Sequence, residues 1–341
     1  MPPLAPQAPS PSLPAPAIEA RGLRKHFGPV TAVDGLDLTV APGEIFGLVG
    51  PDGAGKTTTI RLLCGAMPPD SGAARVAGFD VVAQGEEAKR RLGYVPQRSS
   101  LYGELTVEEN LLFQARVHGV KGETFAARRE RLLIFSRLGR FKGRLARDLS
   151  GGMRQKLALA CTLIHEPEVL LLDEPTTGVD PVSRAEFWEL LLGLANQGIA
   201  ILTSTPYMDE AERCAQVGLI YEGRLLAGGT PEQVRQRAGL ELLEVRVGQQ
   251  RQLLPAQAAA RGAAGVTWAE IFGDRVHVAA PSAAHIEEPL RETLRQAGVQ
   301  VTAVSRMAPG LEDAFFELVQ RARARPRSPT ASQSGKREEP A

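Results

Sequence analysis

The chain has 341 residues, 43% of them hydrophobic, with a formal net charge of +1, enough length for one large domain and a smaller one. The near-neutral charge gives no overall field that would draw it to nucleic acid or anionic lipid, and three distant cysteines without a CxxC pair argue against a disulfide framework or a zinc site. No run approaches the ~20 apolar residues that span a bilayer, so any membrane-spanning part is expected to come from other chains.

The N-terminal residues 1–17 are rich in proline and alanine and have neither a basic start nor an apolar segment. Such a composition is typical of a disordered leader and not of a signal peptide. Order is therefore expected to begin at Ile18. Two β-type runs follow, Leu36–Val40 and Ile45–Val49, separated by a Pro-Gly turn.

A helix is predicted to begin at the glycine-rich loop after the second run and to extend to Leu63. Another helix start is predicted at Thr106–Glu109, which has the form of a capping box. From there to Arg147 the chain is arginine-rich and mostly helical in pattern. We therefore expect a helical subdomain at about residues 98–147.

Strand and helix patterns alternate between residues 150 and 220. The wholly apolar run Val169–Leu172 is typical of a buried parallel strand. One buried helix face is predicted from residues at i, i+3, i+4 and i+7, namely Leu157, Ala160, Cys161 and Ile164. Thr230, followed by Pro231, indicates a further helix start near the end of this domain.

The composition changes after about Leu240, and a small α/β accessory domain is predicted for residues 238–324. Its predicted strands are Leu242–Val247, Arg275–Ala279 and Val299–Val304, and its predicted helices are Ala283–Gln296 and Leu311–Arg321. The polar residues 325–341 are predicted to be a disordered tail. No internal repeat is apparent, so the chain holds a single copy of its large domain, residues 18–237.

The loop after Ile45–Val49 has the pattern G-x-x-x-x-G-K-T of nucleotide-binding proteins. This phosphate loop comprises Gly50, Pro51, Asp52, Gly53, Ala54, Gly55, Lys56, Thr57 and Thr58. Glycines let consecutive backbone amides wrap phosphate oxygens, and the following helix adds its positive end. Lys56 is expected to reach the β- and γ-phosphates of ATP, and the Thr57 hydroxyl to bind Mg²⁺. A chance glycine turn is the alternative, but the preceding strand and following helix are the context that the motif requires.

The apolar run Val169–Leu172 ends in two carboxylates, Asp173 and Glu174. Ligands of open α/β sheets bind beyond the carboxyl ends of the strands. Asp173 is therefore expected to hold Mg²⁺, directly or through water, and Glu174 to polarise the water that attacks ATP. An ordinary strand end meeting solvent is the alternative, and the phosphate loop upstream argues against it.

A short loop separates this chain from other phosphate-loop ATPases. It consists of Leu149, Ser150, Gly151, Gly152 and Met153, and it closely resembles the LSGGQ signature loop of ABC (ATP-binding cassette) proteins. A serine hydroxyl and flexible glycines at a helix N-terminus can donate to an anion. The resemblance implies that this anion is the γ-phosphate of ATP held by the opposite subunit. Met153 replaces the usual glutamine, a minor departure because the main donors precede it.

Further family elements follow in the expected order. Phe27 resembles the aromatic residue that stacks on adenine, with a core phenylalanine as the alternative. Gln97 resembles the glutamine that reaches Mg²⁺ and the attacking water, and Gly178–Asp180 resembles the loop that crosses the dimer interface. This resemblance covers roughly residues 18–237. The segment Ala308–Phe315 also resembles the ends of exporter cassettes of the daunorubicin-resistance and YbhF type.

Two residues depart from the family pattern. Pro206 stands where the family places a switch histidine, and proline has no side-chain donor with which to contact the γ-phosphate or align the attacking water. His165 cannot replace that histidine, because it precedes the strand Val169–Leu172 and lies roughly 20 Å from the phosphates at ~3.3 Å per residue. Asp52 stands where asparagine is usual, which adds a carboxylate to the phosphate loop unless its side chain points away from the anion.

The resemblance implies an α/β fold with a mixed-sheet nucleotide-binding core, a helical subdomain and a small C-terminal domain. It also implies that two cassettes close head to tail on two ATP molecules and drive separate transmembrane permease subunits. We therefore expect a peripheral protein on the cytoplasmic face of the cell membrane. The second cassette is either another copy of this chain or, as Pro206 favours, a different protein that carries the histidine.

Three functions compete on this basis, and a transport ATPase of an exporter is the one that we predict. A regulatory cassette with impaired hydrolysis is favoured by Pro206 and opposed by the intact Glu174 and Gln97. A soluble ABC ATPase acting on ribosomes or DNA usually carries two cassettes or a long coiled-coil insertion. This sequence has neither, and its charge gives no nucleic-acid footprint.

Overall fold

The computed structural model describes residues 15–98 and 100–324. The chain divides into two compact units with the boundary between Arg237 and Ala238. Most of the predicted leader (residues 1–14) and the whole predicted tail (residues 325–341) lie outside the described residues. Within the described ranges, no helix is both long enough and apolar enough to cross a bilayer.

The first unit contains two sheets. An antiparallel sheet has the order β2-β1-β4-β5 and consists of β1 (Ile18–Phe27), β2 (Val30–Val40), β4 (Ser71–Val76) and β5 (Phe79–Asp80). A six-stranded sheet has the order β10-β9-β3-β8-β7-β6 and is parallel except for the β9–β10 pair. Its strands are β3 (Ile45–Val49), β6 (Leu92–Val95), β7 (Val169–Asp173), β8 (Ala200–Thr205), β9 (Gln216–Tyr221) and β10 (Arg224–Gly229).

Strands β3, β7 and β8 are buried along their whole length, as continuous apolar runs in parallel sheets predict. Val49 of β3 is paired with Thr205 of β8, and Asp173 of β7 is paired with Ser204 of β8. Because the three strands are parallel neighbours, their carboxyl ends meet at one edge of the sheet. The phosphate loop and the two carboxylates therefore leave the sheet side by side.

The helices of this unit are α1 (Lys56–Leu63), α2 (Gly85–Arg90), α3 (Val107–Val117), α4 (Gly122–Phe135), α5 (Gly151–Thr162), α6 (Pro181–Ala195), α7 (Met208–Ala211) and α8 (Pro231–Ala238). The capping box predicted at α3 is confirmed, because the Thr106 hydroxyl accepts from the Glu109 amide and the Glu109 carboxylate accepts from the Thr106 amide. All four residues of the face predicted around Leu157 are buried. The helix itself ends two residues before Ile164.

The second unit follows the order β11 (Glu241–Val247), α9 (Leu253–Gly262), β12 (Trp268–Phe272), β13 (Arg275–Ala280), α10 (Ala283–Gln296), β14 (Val301–Met307) and α11 (Leu311–Ala324). Its antiparallel sheet has the order β12-β13-β11-β14. Up to β14 this is the β-α-β-β-α-β succession of ferredoxin-like folds. Apolar residues of α9 and α10 share one buried cluster with β11 and β13.

Three details of this unit differ from the sequence-based expectation. α9 and β12 were not predicted, because α9 is a short alanine-rich segment with an internal proline and β12 has only five residues. The last strand begins at Val301 and not at Val299, since Gly298 adopts a left-handed conformation (φ 71°) in the turn after α10. The helix predicted to end at Arg321 continues to Ala324.

Candidate functional site

The phosphate loop connects β3 to α1, and two of its glycines are required sterically. A Cβ added to Gly50 would lie 2.2 Å from the carbonyl oxygen of Ile220. Gly55 has a left-handed φ of 106°, and a Cβ there would lie 2.3 Å from the carbonyl oxygen of Ala32. Gly55 is also the N-cap of α1 and supplies no side-chain cap. Among the described residues, no side chain caps the first amides of α1, which leaves them to an anion as binding at a helix N-terminus requires.

Lys56 is buried at the base of this loop. Its Nζ donates to the carbonyl oxygens of Gly50 (2.8 Å) and Pro51 (3.0 Å) and lies 3.0 Å from Oε1 of Glu174. The side chains of this ion pair are only 3% and 6% exposed. The Asp52 side chain is 94% exposed, with Oδ1 3.9 Å from Lys56 Nζ. Water screens this second contact, so Glu174 is the principal charge partner of Lys56.

The carboxylate of Asp173 lies beside the start of α1. Its Oδ1 accepts hydrogen bonds from Thr57 Oγ1 (3.0 Å) and Ser204 Oγ (2.8 Å). The Ser204 hydroxyl also accepts from the backbone amide of Glu174 (3.0 Å). Burial raises the pKa of Asp173 above its ordinary value, and the hydrogen bonds from Ser204 and Thr57 oppose that rise. Ser204 thus holds the ends of β7 and β8 in register at the site.

Gln97 completes the cluster from the segment after β6. Its Nε2 donates to Oε2 of Glu174 at 2.9 Å, and Thr177 Oγ1 approaches the same oxygen at 3.4 Å. Glu174 itself has a φ of 49°, an unusual conformation for a residue other than glycine. Its carboxylate is therefore held on one oxygen by Lys56 and on the other by Gln97. The structure brings the phosphate loop, both carboxylates and Gln97 into one site.

The signature loop lies at the N-terminus of α5. Ser150 is the N-cap, and its hydroxyl accepts from the Met153 amide at 3.3 Å. A Cβ on Gly152 would lie 2.3 Å from the Cβ of Ser183, so the packing of α5 against α6 requires glycine there. At Gly151 the nearest atom to an added Cβ is 3.8 Å away. No hydrogen bond or ion pair among the described residues joins this loop to the phosphate loop of the same chain.

Phe27 ends β1 and is 49% exposed. The alternative that it is a core phenylalanine is therefore wrong. The ring lies 5.9 Å from the Nζ of Lys25. An exposed aromatic face remains compatible with the predicted stacking on adenine.

The segment between β8 and α7 contains Pro206, at the position where the family has a histidine. Pro206 is followed by Tyr207, whose ring lies under the guanidinium of Arg184 at 4.5 Å. His165 Nε2 lies 3.1 Å from the carbonyl oxygen of Leu92, the first residue of β6. His165 is therefore at the amino ends of the strands, away from the edge that carries the phosphate loop.

The sequence reasoning missed two polar residues, Ser204 in the site and Glu210 beside it. Both are buried, and Ser204 contacts Asp173 directly. The available signal was the polar ending of β8, Thr203–Thr205, on an otherwise apolar buried strand. That signal alone does not say which strand is the neighbour of β8, and so could not assign the contact.

The donor set fits a nucleotide with a divalent cation. The hydroxyl of Thr57 and the carboxylate of Asp173 are adjacent oxygen ligands of the kind that Mg²⁺ prefers, with the remaining positions left for water and substrate phosphates. Free helix amides and a buried lysine are the donors that phosphates require. The geometry therefore defines a nucleoside-triphosphate site at the carboxyl edge of the parallel sheet.

Comparisons with known proteins agree with this geometry. A sequence model of the ABC transporter family matches residues 33–177. The probable multidrug ABC transporter ATP-binding protein YbhF of Escherichia coli K12 is 52% identical over 221 residues, which are 64% of this chain and 38% of that protein. The daunorubicin resistance ATP-binding protein DrrA3 of Streptomyces coeruleorubidus is 36% identical over 305 residues, 89% of this chain and 95% of that protein. The Nod factor export ATP-binding protein I of Paraburkholderia xenovorans is 43% identical and matches 68% of this chain and 77% of that protein.

A solved ATP-binding subunit of an ABC transporter has a TM-score of 0.60 at 32% identity and covers 65% of this chain and 93% of its own. The chain belongs to the ATP-binding subunits of ABC transporters, a class of transport-coupled ATPases. The predicted α/β fold and the resemblance to exporter cassettes of the daunorubicin-resistance and YbhF type are both confirmed. The chain spans little more than a third of the length of YbhF.

Proposed function

We propose that this chain binds Mg-ATP and hydrolyses it as a motor subunit of an ABC-type exporter. It pairs with a second cassette and drives separate transmembrane permease subunits from the cytoplasmic face of the cell membrane. The observation that carries the proposal is the contact cluster of Lys56, Glu174 and Gln97 beside Asp173 and the free end of α1. Such a cluster supplies phosphate binding, metal binding and water activation at one place.

Phosphate binding is assigned to the loop amides and Lys56. Lys56 now pairs with Glu174 and with two carbonyl oxygens of its own loop, so the β- and γ-phosphates must replace the carboxylate as its charge partner. Thr57, Asp173 and Gln97 would hold Mg²⁺, which neutralises charge on the phosphate oxygens. Phe27 stacks on the adenine, with its exposed ring face as the platform.

Water activation is assigned to Glu174 and Gln97. Once the phosphates occupy Lys56, one carboxylate oxygen of Glu174 is released to accept the proton of the attacking water. Gln97 Nε2 already donates to the other oxygen and fixes the orientation of the carboxylate. The burial of Glu174 keeps bulk water from competing for that proton.

Dimerisation is supported by the position of the signature loop. Ser150 and Gly151 lie at the N-terminus of α5, and no hydrogen bond within residues 15–98 and 100–324 joins them to the phosphate loop of the same chain. In a head-to-tail dimer, the signature loop of each chain would contact the γ-phosphate of the ATP that is bound at the phosphate loop of the other chain. The interface loop, Gly178–Asp180, adjoins Gly151 through the Gly178 carbonyl and lies in the same contact.

Export is supported by the relatives, whose names describe multidrug, daunorubicin-resistance and Nod factor export proteins. The match to DrrA3 extends over 305 residues, 89% of this chain, and so reaches into the ferredoxin-like unit, because the first unit ends at Arg237. We assign that unit to regulation or stabilisation of the dimer, not to ATP binding. The cargo is selected by the permease subunits.

A second candidate is a cassette with impaired hydrolysis that completes the site of an active partner. Pro206 is the observation that favours it, since the side chain at this position has no donor. The neighbouring Tyr207 ring is engaged by Arg184. In this arrangement the assembly is asymmetric, and the partner carries the histidine.

The test compares ATP binding and hydrolysis by the purified wild-type chain, Glu174→Gln and Pro206→His. We expect slow wild-type turnover that Glu174→Gln abolishes, and a rise of about 10²–10⁴-fold in Pro206→His, the usual worth of a positioned proton-handling group. Vigorous wild-type hydrolysis that Pro206→His leaves unchanged would instead establish a self-sufficient homodimer, with Tyr207 or a water in the histidine's role. Failure of the wild-type chain to bind Mg-ATP would refute the proposed function altogether.

A further inference from the structure

Glu210 is a buried carboxylate that lies close to the nucleotide site without touching its candidate catalytic groups. The residue is 1% exposed. One carboxylate oxygen accepts from the hydroxyl of Thr176 at 2.5 Å, and the other accepts from the hydroxyl of Thr205 at 2.6 Å. Each of these two threonines belongs to a different segment of the site.

Thr176 lies in the turn that follows Glu174. Its carbonyl oxygen accepts from the amide of Val179, which is in the interface loop. The turn also closes on itself through the Thr177 amide and the Glu174 carbonyl. The contact between Glu210 and Thr176 therefore anchors the turn between the candidate general base and the interface loop.

Thr205 is the last residue of β8. Its carbonyl oxygen accepts from the amide of Gly50, the first residue of the phosphate loop, at 3.4 Å. Its hydroxyl accepts from the amide of Tyr207 at 3.1 Å, which closes the backbone around Pro206. The contact between Glu210 and Thr205 therefore fixes the position of the Pro206 segment relative to the phosphate loop.

Arg184 places a positive charge beside Glu210 and shares it with Asp209, whose Oδ2 lies 3.6 Å from the Arg184 Nη1. Its Nε lies 3.5 Å from Glu210 Oε1, and its guanidinium lies over the Tyr207 ring at 4.5 Å. Arg184 is in the first turn of α6, whose N-cap is Asp180 of the interface loop. One guanidinium therefore places its charge next to both Glu210 and Tyr207, on the helix that starts at this loop.

Stability alone does not account for this arrangement. Transferring a carboxylate to the interior is costly, and replacing a buried ion pair with apolar side chains of similar volume is often neutral or stabilising. What buried hydrogen bonds of this kind provide is a fixed relative position of the segments that they join. Here those segments carry Glu174, Pro206 and the interface loop.

On the basis of the proposed function, we infer that Glu210 is a positioning residue for ATP hydrolysis. Through Thr176 and Thr205 it holds the Glu174 turn and the Pro206 segment at their working distance from the phosphate loop. Through Arg184 it ties both to the interface loop. The site depends more on this positioning because Pro206 has no side-chain donor that could contact the phosphates.

The experiment measures single-turnover hydrolysis with enzyme in excess over ATP, and ATP affinity by equilibrium dialysis, in the full-length chain. The variant is Glu210→Gln, which keeps the side-chain length and removes the charge. The matched control is Glu212→Gln, the same chemical change two residues away, where the carboxylate is 41% exposed and pairs with Arg235. The second variant is Thr176→Val, which removes one hydroxyl and keeps the shape of the side chain. It tests the same inference if Glu210→Gln does not fold.

We expect Glu210→Gln to lower the hydrolysis rate constant by about tenfold or more, because small misplacement of aligned groups has effects of this size. Its ATP dissociation constant should change by less than about threefold, and Glu212→Gln should match the wild type in both measurements. Thr176→Val should show a loss in the same direction. A Glu210→Gln chain that unfolds at a lower temperature but hydrolyses bound ATP at the wild-type rate would show a merely structural role and overturn the inference. A wild-type chain that binds ATP and does not hydrolyse it would refute the hydrolysis step of the proposed function, and this inference with it.

Discussion

Replacing Lys56 with methionine tests the central ion pair of the site. Methionine has a similar length and no charge, so the change removes the Nζ while it disturbs the packing little. Without the Nζ, the hydrogen bonds to the Gly50 and Pro51 carbonyls and the 3.0 Å contact with Glu174 are lost. The Glu174 carboxylate then keeps the Gln97 amide at 2.9 Å as its nearest donor.

The expected loss in the free energy of unfolding follows from the burial of the Lys56–Glu174 pair. Glu174 is only 6% exposed in the pair, and removing one partner of a buried ion pair costs about 3–5 kcal/mol, because the other charge is left without compensation. Lys56→Met should therefore lower the free energy of unfolding by about that amount. The double variant Lys56→Met/Glu174→Gln carries no such charge and should recover most of the loss. Both variants should lose most of their ATP affinity, since both lack the cation that binds the phosphates.

Urea unfolding gives the stabilities, and equilibrium dialysis gives the ATP affinities. Lys89→Met is the control, because Lys89 is 53% exposed and its pair with Glu86 is of the surface kind, worth about 0–1 kcal/mol. Equal stability of Lys56→Met and the double variant would refute the reasoning about the buried charge. Undiminished ATP binding by Lys56→Met would show that the site has been assigned to the wrong loop.

Four further predictions concern the rest of the chain. Asp52→Asn should raise ATP affinity by less than about tenfold, with a gain that shrinks in high salt, because the carboxylate is exposed and screened; dialysis at two salt concentrations measures it. Phe27→Ala should weaken ATP binding by about 1–3 kcal/mol in the same assay if the ring stacks on adenine, and an unchanged affinity would remove Phe27 from the site. A chain truncated after Arg237, at the boundary between the two compact units, should fold and bind ATP like the full chain, and one that folds without binding would contradict this. Burial and the adjacent His118 lower the pKa of His165 to about 4 from an ordinary 6.5, so between these values the unfolded chain binds a proton that the folded one does not. The free energy of unfolding should therefore fall as the pH drops from about 6.5 to about 4, by at most about 1.4 kcal/mol per pH unit, and His165→Gln should reduce that slope.

Local patterns were enough to identify much of this protein. The phosphate loop, the strand ending in Asp173 and Glu174, and the capping box at Thr106 each depend on residues only a few positions apart. Hydrogen bonds act within those positions whatever the rest of the chain does, as the capping box illustrates. For the same reason the helix Ala283–Gln296, with its clear periodicity, was predicted with the bounds that the structure shows.

The contacts that make these pieces into a site depend on the tertiary structure alone. Thr57 and Asp173 are 116 residues apart, and Gln97 and Glu174 are 77 apart. They meet because β3, β8, β7 and β6 are successive neighbours in the sheet, whereas their order along the chain is β3, β6, β7, β8. Sequence separation likewise concealed the pairing of Lys56 with Glu174 and the reach of Glu210 to Thr176. Residue types indicate which groups can bind phosphate or accept a proton. Only strand order, and the burial that comes with it, decides which of them lie within hydrogen-bonding distance.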